Sequence, residues 1–301
     1  QEIQDILVLK NNKGTEDNRV RKLDYSIQLS ELFYQRFIDN KEISLFSPHD
    51  VPNLYASFGT AKFDDLYRSY EDDESIPRTT IGAQELILDL LKERAETGRV
   101  YIMNIDHCNT HSSFDEEEAK INMSNLCQEI TLPTEPLESP NDSNGEIALC
   151  ILSAVNVGQL TSDFKELPDL CELAVRALDE VIDYQKYPVI AAEHSTINRR
   201  SLGIGYIGLA HFLAKNKVKY QDEEAHELVH RLTEHFQFNL IKATVELAKE
   251  KGPCGYVSQT KYHQGLLPID HYKKDVDDIT SAPLECDWES LREEVIKYGV
   301  R

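Results

Sequence analysis

Stretches in which apolar residues recur every three or four positions alternate along this chain with short, nearly unbroken apolar runs. That alternation restricts the fold more than any other feature of the sequence. Helical spacing is seen at 18–39 (Val20, Leu23, Ile27, Leu29, Leu32, Phe33, Phe37) and at 82–97 (Leu86, Leu88, Leu90, Leu91). Further helices are read at 167–187, 206–215, 222–251 and 288–297. Gly98 and Gly252 stand where two of these helices are expected to end. Strand-like runs fall at 43–46, 99–106 and 145–153, the last apolar enough to be buried on both faces. The stretch 49–80 is mixed, and its acidic run Glu71-Asp72-Asp73-Glu74 reads as a solvated face. Strands separated by helices predict an α/β architecture with a largely parallel sheet or barrel, and no solenoid repeat is present.

With 301 residues, 41% of them hydrophobic, the chain can bury a sizeable core in one large domain or two small ones. Its 53 acidic residues outnumber 32 basic ones, giving a formal charge of -21 that repels polyanions and argues against nucleic acid as a partner. A small phosphate ligand is compatible, because it needs only a few local N–H groups or cations. No run approaches the roughly 20 apolar residues that cross a bilayer, and Gln1-Glu2-Ile3-Gln4-Asp5 lacks a signal-peptide pattern. A cytoplasmic protein without a membrane partner is therefore expected. The opening lacks Met and reads as an element already under way, which suggests a piece of a longer protein.

The six cysteines (Cys108, Cys127, Cys150, Cys171, Cys254, Cys286) are too widely spaced for the disulfide framework of a small secreted domain. Cys127 stands out through its neighbours. Asn125-Leu126-Cys127-Gln128-Glu129 places an amide, a thiol and a carboxylate at alternating positions, which share one face in an extended strand or finger-like loop. Against this stands the reading of Cys127 as a small buried hydrophobe, which does not account for an amide and a carboxylate beside it. Cys150, inside the 145–153 run, is either a packed core residue or a second thiol that donates electrons by forming a disulfide. Cys171, Cys254 and Cys286 carry no motif.

Two further patterns are weaker. Gly203-Ile204-Gly205-Tyr206-Ile207-Gly208 spells a dinucleotide-binding GxGxxG, but the polar residues 195–200 before it provide no leading strand. A tight turn into a helix explains the glycines better than a nicotinamide-dependent dehydrogenase does, with Arg199 and Arg200 free to hold anionic groups or neighbouring carboxylates. His107-Cys108-Asn109-Thr110-His111 offers potential zinc ligands but no second ligand pair, so no metal site is expected. These residues read as a polar turn at a strand end, where catalytic groups gather in a parallel barrel.

Several blocks together carry a resemblance to the large, catalytic subunit of class I ribonucleotide reductases. They are Val8-Leu9-Lys10-Asn11-Asn12, Ser47-Pro48-His49-Asp50-Val51-Pro52, Glu93-Arg94-Ala95-Glu96-Thr97-Gly98, Asp106-His107-Cys108-Asn109, Ser124 through Ile130, Asn144 through Cys150, Arg199 through Gly205, and Leu267-Pro268-Ile269-Asp270. The resemblance covers essentially all of 1–301 and implies part of a ten-stranded α/β barrel with a central finger loop. It implies that Cys127 at the fingertip becomes a thiyl radical that takes the ribose 3′-hydrogen, since S–H and ribose C–H bonds are of comparable strength. By the same resemblance Glu129 is the general base on the 3′-hydroxyl, Asn125 orients the substrate, and residues Asn125, Leu126, Cys127, Gln128 and Glu129 line it. Cys150 matches one of two reducing thiols, whose partner has no counterpart in this chain.

The resemblance further implies that no cofactor is bound in this chain. The radical comes from a separate dimetal small subunit, electrons come from thioredoxin or glutaredoxin, and the complete large subunit is a homo-oligomer. It implies a ribonucleoside diphosphate substrate, and turnover that requires segments or a companion chain beyond these residues, supplying the second reducing thiol, the phosphate loop and the tyrosines that relay the radical; the allosteric region and the cysteine tail are likewise expected outside this chain. The competing expectation is a non-catalytic structural or assembly half of a split reductase.

Overall fold

The computed structural model describes residues 2–11, 15–20, 22–271 and 282–301. The chain is mixed α/β and divides into two compact units, one made of 1–112 with 120–132 and the other of 113–119 with 133–301. Asn12 of the 8–12 block and Arg21 lie outside the described residues.

In the first unit, β1 (Ser26–Leu29) pairs in parallel with a later strand (Tyr101–Asn104), while β2 (Glu42–Phe46) pairs antiparallel with β3 (Arg78–Gly82). The later strand is β4. Ile27, Leu29, Leu32, Phe33, Ile43 and Phe46 belong to its buried core. The helix expected over 18–39 is not continuous. Ser30 takes extended backbone and its Oγ accepts from the Phe33 N–H, capping a helix that runs only over Glu31–Ile38. Upstream, Ile27 and Leu29 share one face of a strand, whereas Val20 and Leu23 are exposed. The helix Ala83–Thr97 ends as expected at Gly98, whose φ of +68° is left-handed. Of the acidic run, Glu71 is half-buried: it pairs with Arg36, whose guanidinium also lies 5.1 Å from the centre of the Tyr67 ring.

In the second unit, β5 (Leu152–Asn156) and β6 (Gly203–Ile207) form a parallel pair with Leu152 opposite Gly203. The helices Leu167–Tyr184 and Glu223–Lys251 pack on each other, and Val155, Leu167, Phe212, Leu232 and Phe236 are buried in their shared core. The strand expected over 145–153 is displaced. Its ladder begins only where the Gly203 N–H donates to the Ile151 carbonyl at 2.9 Å, and Leu152 is 57% exposed rather than covered on both faces. The helix expected over 206–215 is shortened to Leu209–Lys215, because Tyr206 and Ile207 are spent in β6 and Gly208 caps the helix. Thus the strand lies inside the glycine motif rather than before it, and only Gly208, at φ +81°, makes the turn. A Cβ at Gly203 would come within 2.4 Å of Leu152 Cδ2, so the exposed Leu152 side chain would have to move aside. Among the described residues, no helix is long and apolar enough to cross a membrane.

Candidate active site

The Asn125–Glu129 motif lies in irregular backbone between Ile121 and Leu132. It is a turn, not an extended strand. The Gln128 N–H donates to the Asn125 carbonyl at 3.1 Å, and Gln128 itself sits at φ +66°. Strand alternation therefore does not govern which way the three functional groups point. Asn125, Leu126, Cys127 and Glu129 are all exposed, so the reading of Cys127 as a core residue does not hold.

The turn is closed by its own side chains. Ser124 Oγ donates to the Ile130 carbonyl at 2.6 Å, and the Ile130 N–H donates to Asn125 Oδ1 at 3.1 Å. Gln128 Nε2 donates to the same Asn125 carbonyl that its own N–H holds, at 3.0 Å. Asn125 thereby commits its side-chain oxygen to the loop, and its Nδ2 carries the donor capacity that a ligand can use. Gln128 Oε1 is buried and finds no partner among the described residues. Below the turn, three successive residues are tied down: Lys120 to Ala56, Ile121 to Asn109 and Asn122 to Gln28.

Cys150 belongs to the other unit and is exposed, just before β5. Its segment is fastened by charge. Arg199 forms a two-pronged pair with Glu146, Nε to Oε2 at 2.5 Å and Nη2 to Oε1 at 2.9 Å, both side chains buried. The Arg199 guanidinium lies 5.0 Å from the Tyr256 ring centre. Its neighbour Arg200, at φ +48° after the helix Ile190–Arg199, donates to Asp179 and Asp183. Both arginines thus hold neighbouring carboxylates, one of the two roles read for them in the sequence. Asp179 also accepts from Arg301 and Lys251. Burial alone would raise its carboxyl pKa, but the hydrogen bonds from Arg301 and Arg200 outweigh it and hold the group below the usual range.

The other cysteines differ in chemistry. Burial pushes the Cys171 thiol up to about 12, and burial with the nearby Glu234 carboxylate does the same to Cys286. Such thiols stay protonated near neutral pH. His107, Cys108 and Asn109 form part of a short helix, Ile105–Thr110, directly after β4 rather than a turn. Among the described residues, no group of three His, Cys, Asp or Glu side chains is placed to hold a metal ion. Sequence reasoning passed over Gln28, Asn109 and Glu146 as functional supports. A polar side chain in an otherwise apolar run was the available signal for Gln28 and Glu146, whereas Asn109 stands among polar neighbours and offered none.

The sequence of this chain has counterparts among known proteins. A family model described as "Ribonucleotide reductase, barrel domain" matches residues 1–301. The chain is 54% identical over 302 residues to the ribonucleoside-diphosphate reductase subunit alpha of Haemophilus influenzae. It is 51% identical over 302 residues to ribonucleoside-diphosphate reductase 1 subunit alpha of Escherichia coli, and 32% identical over 300 residues to the large subunit of the Plasmodium falciparum enzyme. All of this chain is covered each time, but only 40%, 40% and 36% of those proteins, so the chain spans well under half the length of these relatives. The chain belongs to the ribonucleotide reductase barrel-domain family.

Proposed function

We propose that this chain is the catalytic barrel of a class I ribonucleotide reductase large subunit, converting ribonucleoside diphosphates to deoxyribonucleotides. The supporting observation is the exposed Cys127 on a turn clasped by Ser124, Asn125 and Gln128, in a chain that belongs to this family. In this reading residues 1–301 are part of a ten-stranded α/β barrel, with the 120–132 segment as its finger loop.

Cys127 Sγ, as a thiyl, takes the hydrogen atom from ribose C3′, so that an S–H bond forms as the C–H bond breaks. Glu129 accepts the 3′-hydroxyl proton while the 2′-hydroxyl takes a proton from one of the two reducing thiols and departs as water, and Glu129 later returns its proton to the 3′ oxygen. Asn125 donates from Nδ2 to a substrate oxygen and keeps the sugar over the thiol, and Leu126 and Gln128 complete the substrate-lining segment. Cys150 and a second thiol from outside residues 1–301 deliver two electrons and two protons by closing to a disulfide, and the Cys127 S–H then returns its hydrogen to C3′. A separate small subunit carrying a dimetal centre supplies the radical, and thioredoxin or glutaredoxin reopens the disulfide. The complete large subunit works in the cytoplasm as a homo-oligomer.

The test is Cys127→Ser in the full-length large subunit, assayed with its radical-generating partner. Turnover is expected to vanish while nucleotide binding persists. Retained turnover would remove Cys127 from the reaction. Because the relatives are much longer, residues 1–301 by themselves are expected to reduce no ribonucleotide, and turnover by the isolated chain would refute that dependence.

A further inference from the structure

We infer that Asn109 is a positioning residue for the reaction, setting where Cys127 sits by acting as a substitute strand for the base of its loop. The inference rests on the reading of Cys127 as the reacting residue. Asn109 is 1% exposed and lies on the short helix after β4. Its Oδ1 accepts from the Ile121 N–H at 2.8 Å, and its Nδ2 donates to the Ile121 carbonyl at 3.1 Å. One side-chain amide thus satisfies both backbone groups of a buried residue, as a neighbouring β-strand would. The second Nδ2 hydrogen goes to the Ile105 carbonyl at 3.1 Å, which fixes the amide plane.

No other side chain fits that set of bonds. Aspartate offers acceptors only, serine cannot span both groups at once, and glutamine is a methylene too long. Space for the amide is kept by Gly59, where a Cβ would come within 2.6 Å of Ile105 Cγ1 and 3.0 Å of Asn109 Nδ2. On either side the loop is held to other elements: Lys120 Nζ donates to the Ala56 carbonyl at 2.8 Å, and Gln28 Nε2 from β1 donates to the Asn122 carbonyl at 2.8 Å. Past Asn122 the described hydrogen bonds of the 124–130 turn are made within the turn itself. The turn is therefore a small closed unit whose placement is inherited from residues 120–122, and Asn109 makes the only buried contact of the three. Through Asn109, the polar cluster after β4 acquires a purpose as the socket of the loop.

The experiment is made in the full-length large subunit with its radical-generating partner, using Asn109→Asp and, as a variant that leaves the buried amide intact, Gln28→Met. For Asn109→Asp we expect kcat to fall about 10²-fold, the scale at which a small misplacement acts, with KM changing far less. Gln28→Met should lower kcat in the same direction by a smaller factor. Amide hydrogen exchange should accelerate across 120–130 in both variants and stay unchanged in the core helix 83–97. Unchanged kcat in both variants, or a kcat loss matched by uniform exchange throughout the chain, would overturn the inference. Cys127→Ser run in parallel separates the two claims: if it retains turnover the underlying reading fails, whereas a dead Cys127→Ser beside a fully active Asn109→Asp defeats only the positioning role.

Discussion

The segments carrying Cys127 and Cys150 are fastened by opposite means. Around Cys127 every described bond within the turn is neutral, made by a hydroxyl, two amides and the backbone. Upstream of Cys150 the fastening is a buried ion pair, Glu146 with Arg199, and the adjoining Arg200 feeds a second buried carboxylate, Asp179. The difference has a physical logic. In the proposed reaction, a further full charge fixed beside the Cys127 thiol and the Glu129 carboxylate would bias both, since Coulomb energies grow steeply in a partly desolvated site. Neutral hydrogen bonds hold the backbone of the Cys127 turn without adding such a field. On the segment before Cys150, the two-pronged pairing of Arg199 with Glu146 gives a stronger and more directional attachment than neutral bonds do.

That contrast predicts different responses to mutation. The largest stability effect should come from Glu146→Ala, which strands the Arg199 guanidinium in a buried site and is expected to cost about 3–5 kcal/mol. Urea denaturation followed by a probe in the 133–301 unit would measure it. Replacing both partners, as Glu146→Leu with Arg199→Met, should recover much of the loss because no unpaired charge remains. If the double variant is as unstable as the single one, the ion pair is not what makes this segment different from the Cys127 turn.

Asp179 sharpens the comparison through pH. Its folded-state pKa is held down by Arg301 and Arg200 against the opposing effect of burial. A depressed carboxyl contributes stability that is present above its unfolded pKa, about 3.9, and is lost as pH falls through the folded value. Asp179→Asn should therefore cost about 2–3 kcal/mol at neutral pH, and less as the pH drops below about 4. Stability profiles of the two proteins should converge in acid. Parallel profiles down to pH 2 would show that the carboxylate charge is not what Arg200 and Arg301 stabilise.

How far the sequence announced all this depends on whether local chemistry or tertiary pairing decided each element. Gly98 was legible as a helix end because a left-handed residue is a local requirement. The 18–39 helix was misread because residues of a buried strand and the helix that follows it fall by chance on helical spacing, and a single Ser30 cap separates the two. The 145–153 strand was misplaced for a different reason: its ladder depends on the register with Gly203, fifty residues on, which no local pattern encodes. Arg199 and Arg200 were read as holding either anionic groups or neighbouring carboxylates, but their partners Glu146 and Asp179 were not identifiable without the fold. The Asn125, Cys127 and Glu129 motif was visible in the sequence as an amide, a thiol and a carboxylate at alternating positions. Its conformation was not, because Gln128 takes a left-handed backbone that its side chain disfavours and that only the surrounding hydrogen bonds explain.

The smallest effect is expected at Ser124, and it probes the turn most directly. Ser124→Ala deletes the bond to the Ile130 carbonyl but leaves the Ile130 N–H on Asn125 Oδ1, so the clasp is halved rather than opened. The freed carbonyl is only partly buried and can be rehydrated, so global stability should fall by no more than about 1 kcal/mol. Local opening of the turn is governed by far fewer contacts than global unfolding and should respond more strongly. Alkylation of the exposed Cys127 by iodoacetamide should consequently become faster, while Cys150, held in the other unit, reacts at its original rate. If Cys127 reacts no faster in Ser124→Ala, order at the tip comes from the anchored base at 120–122 alone, and the neutral clasp contributes shape without restraint.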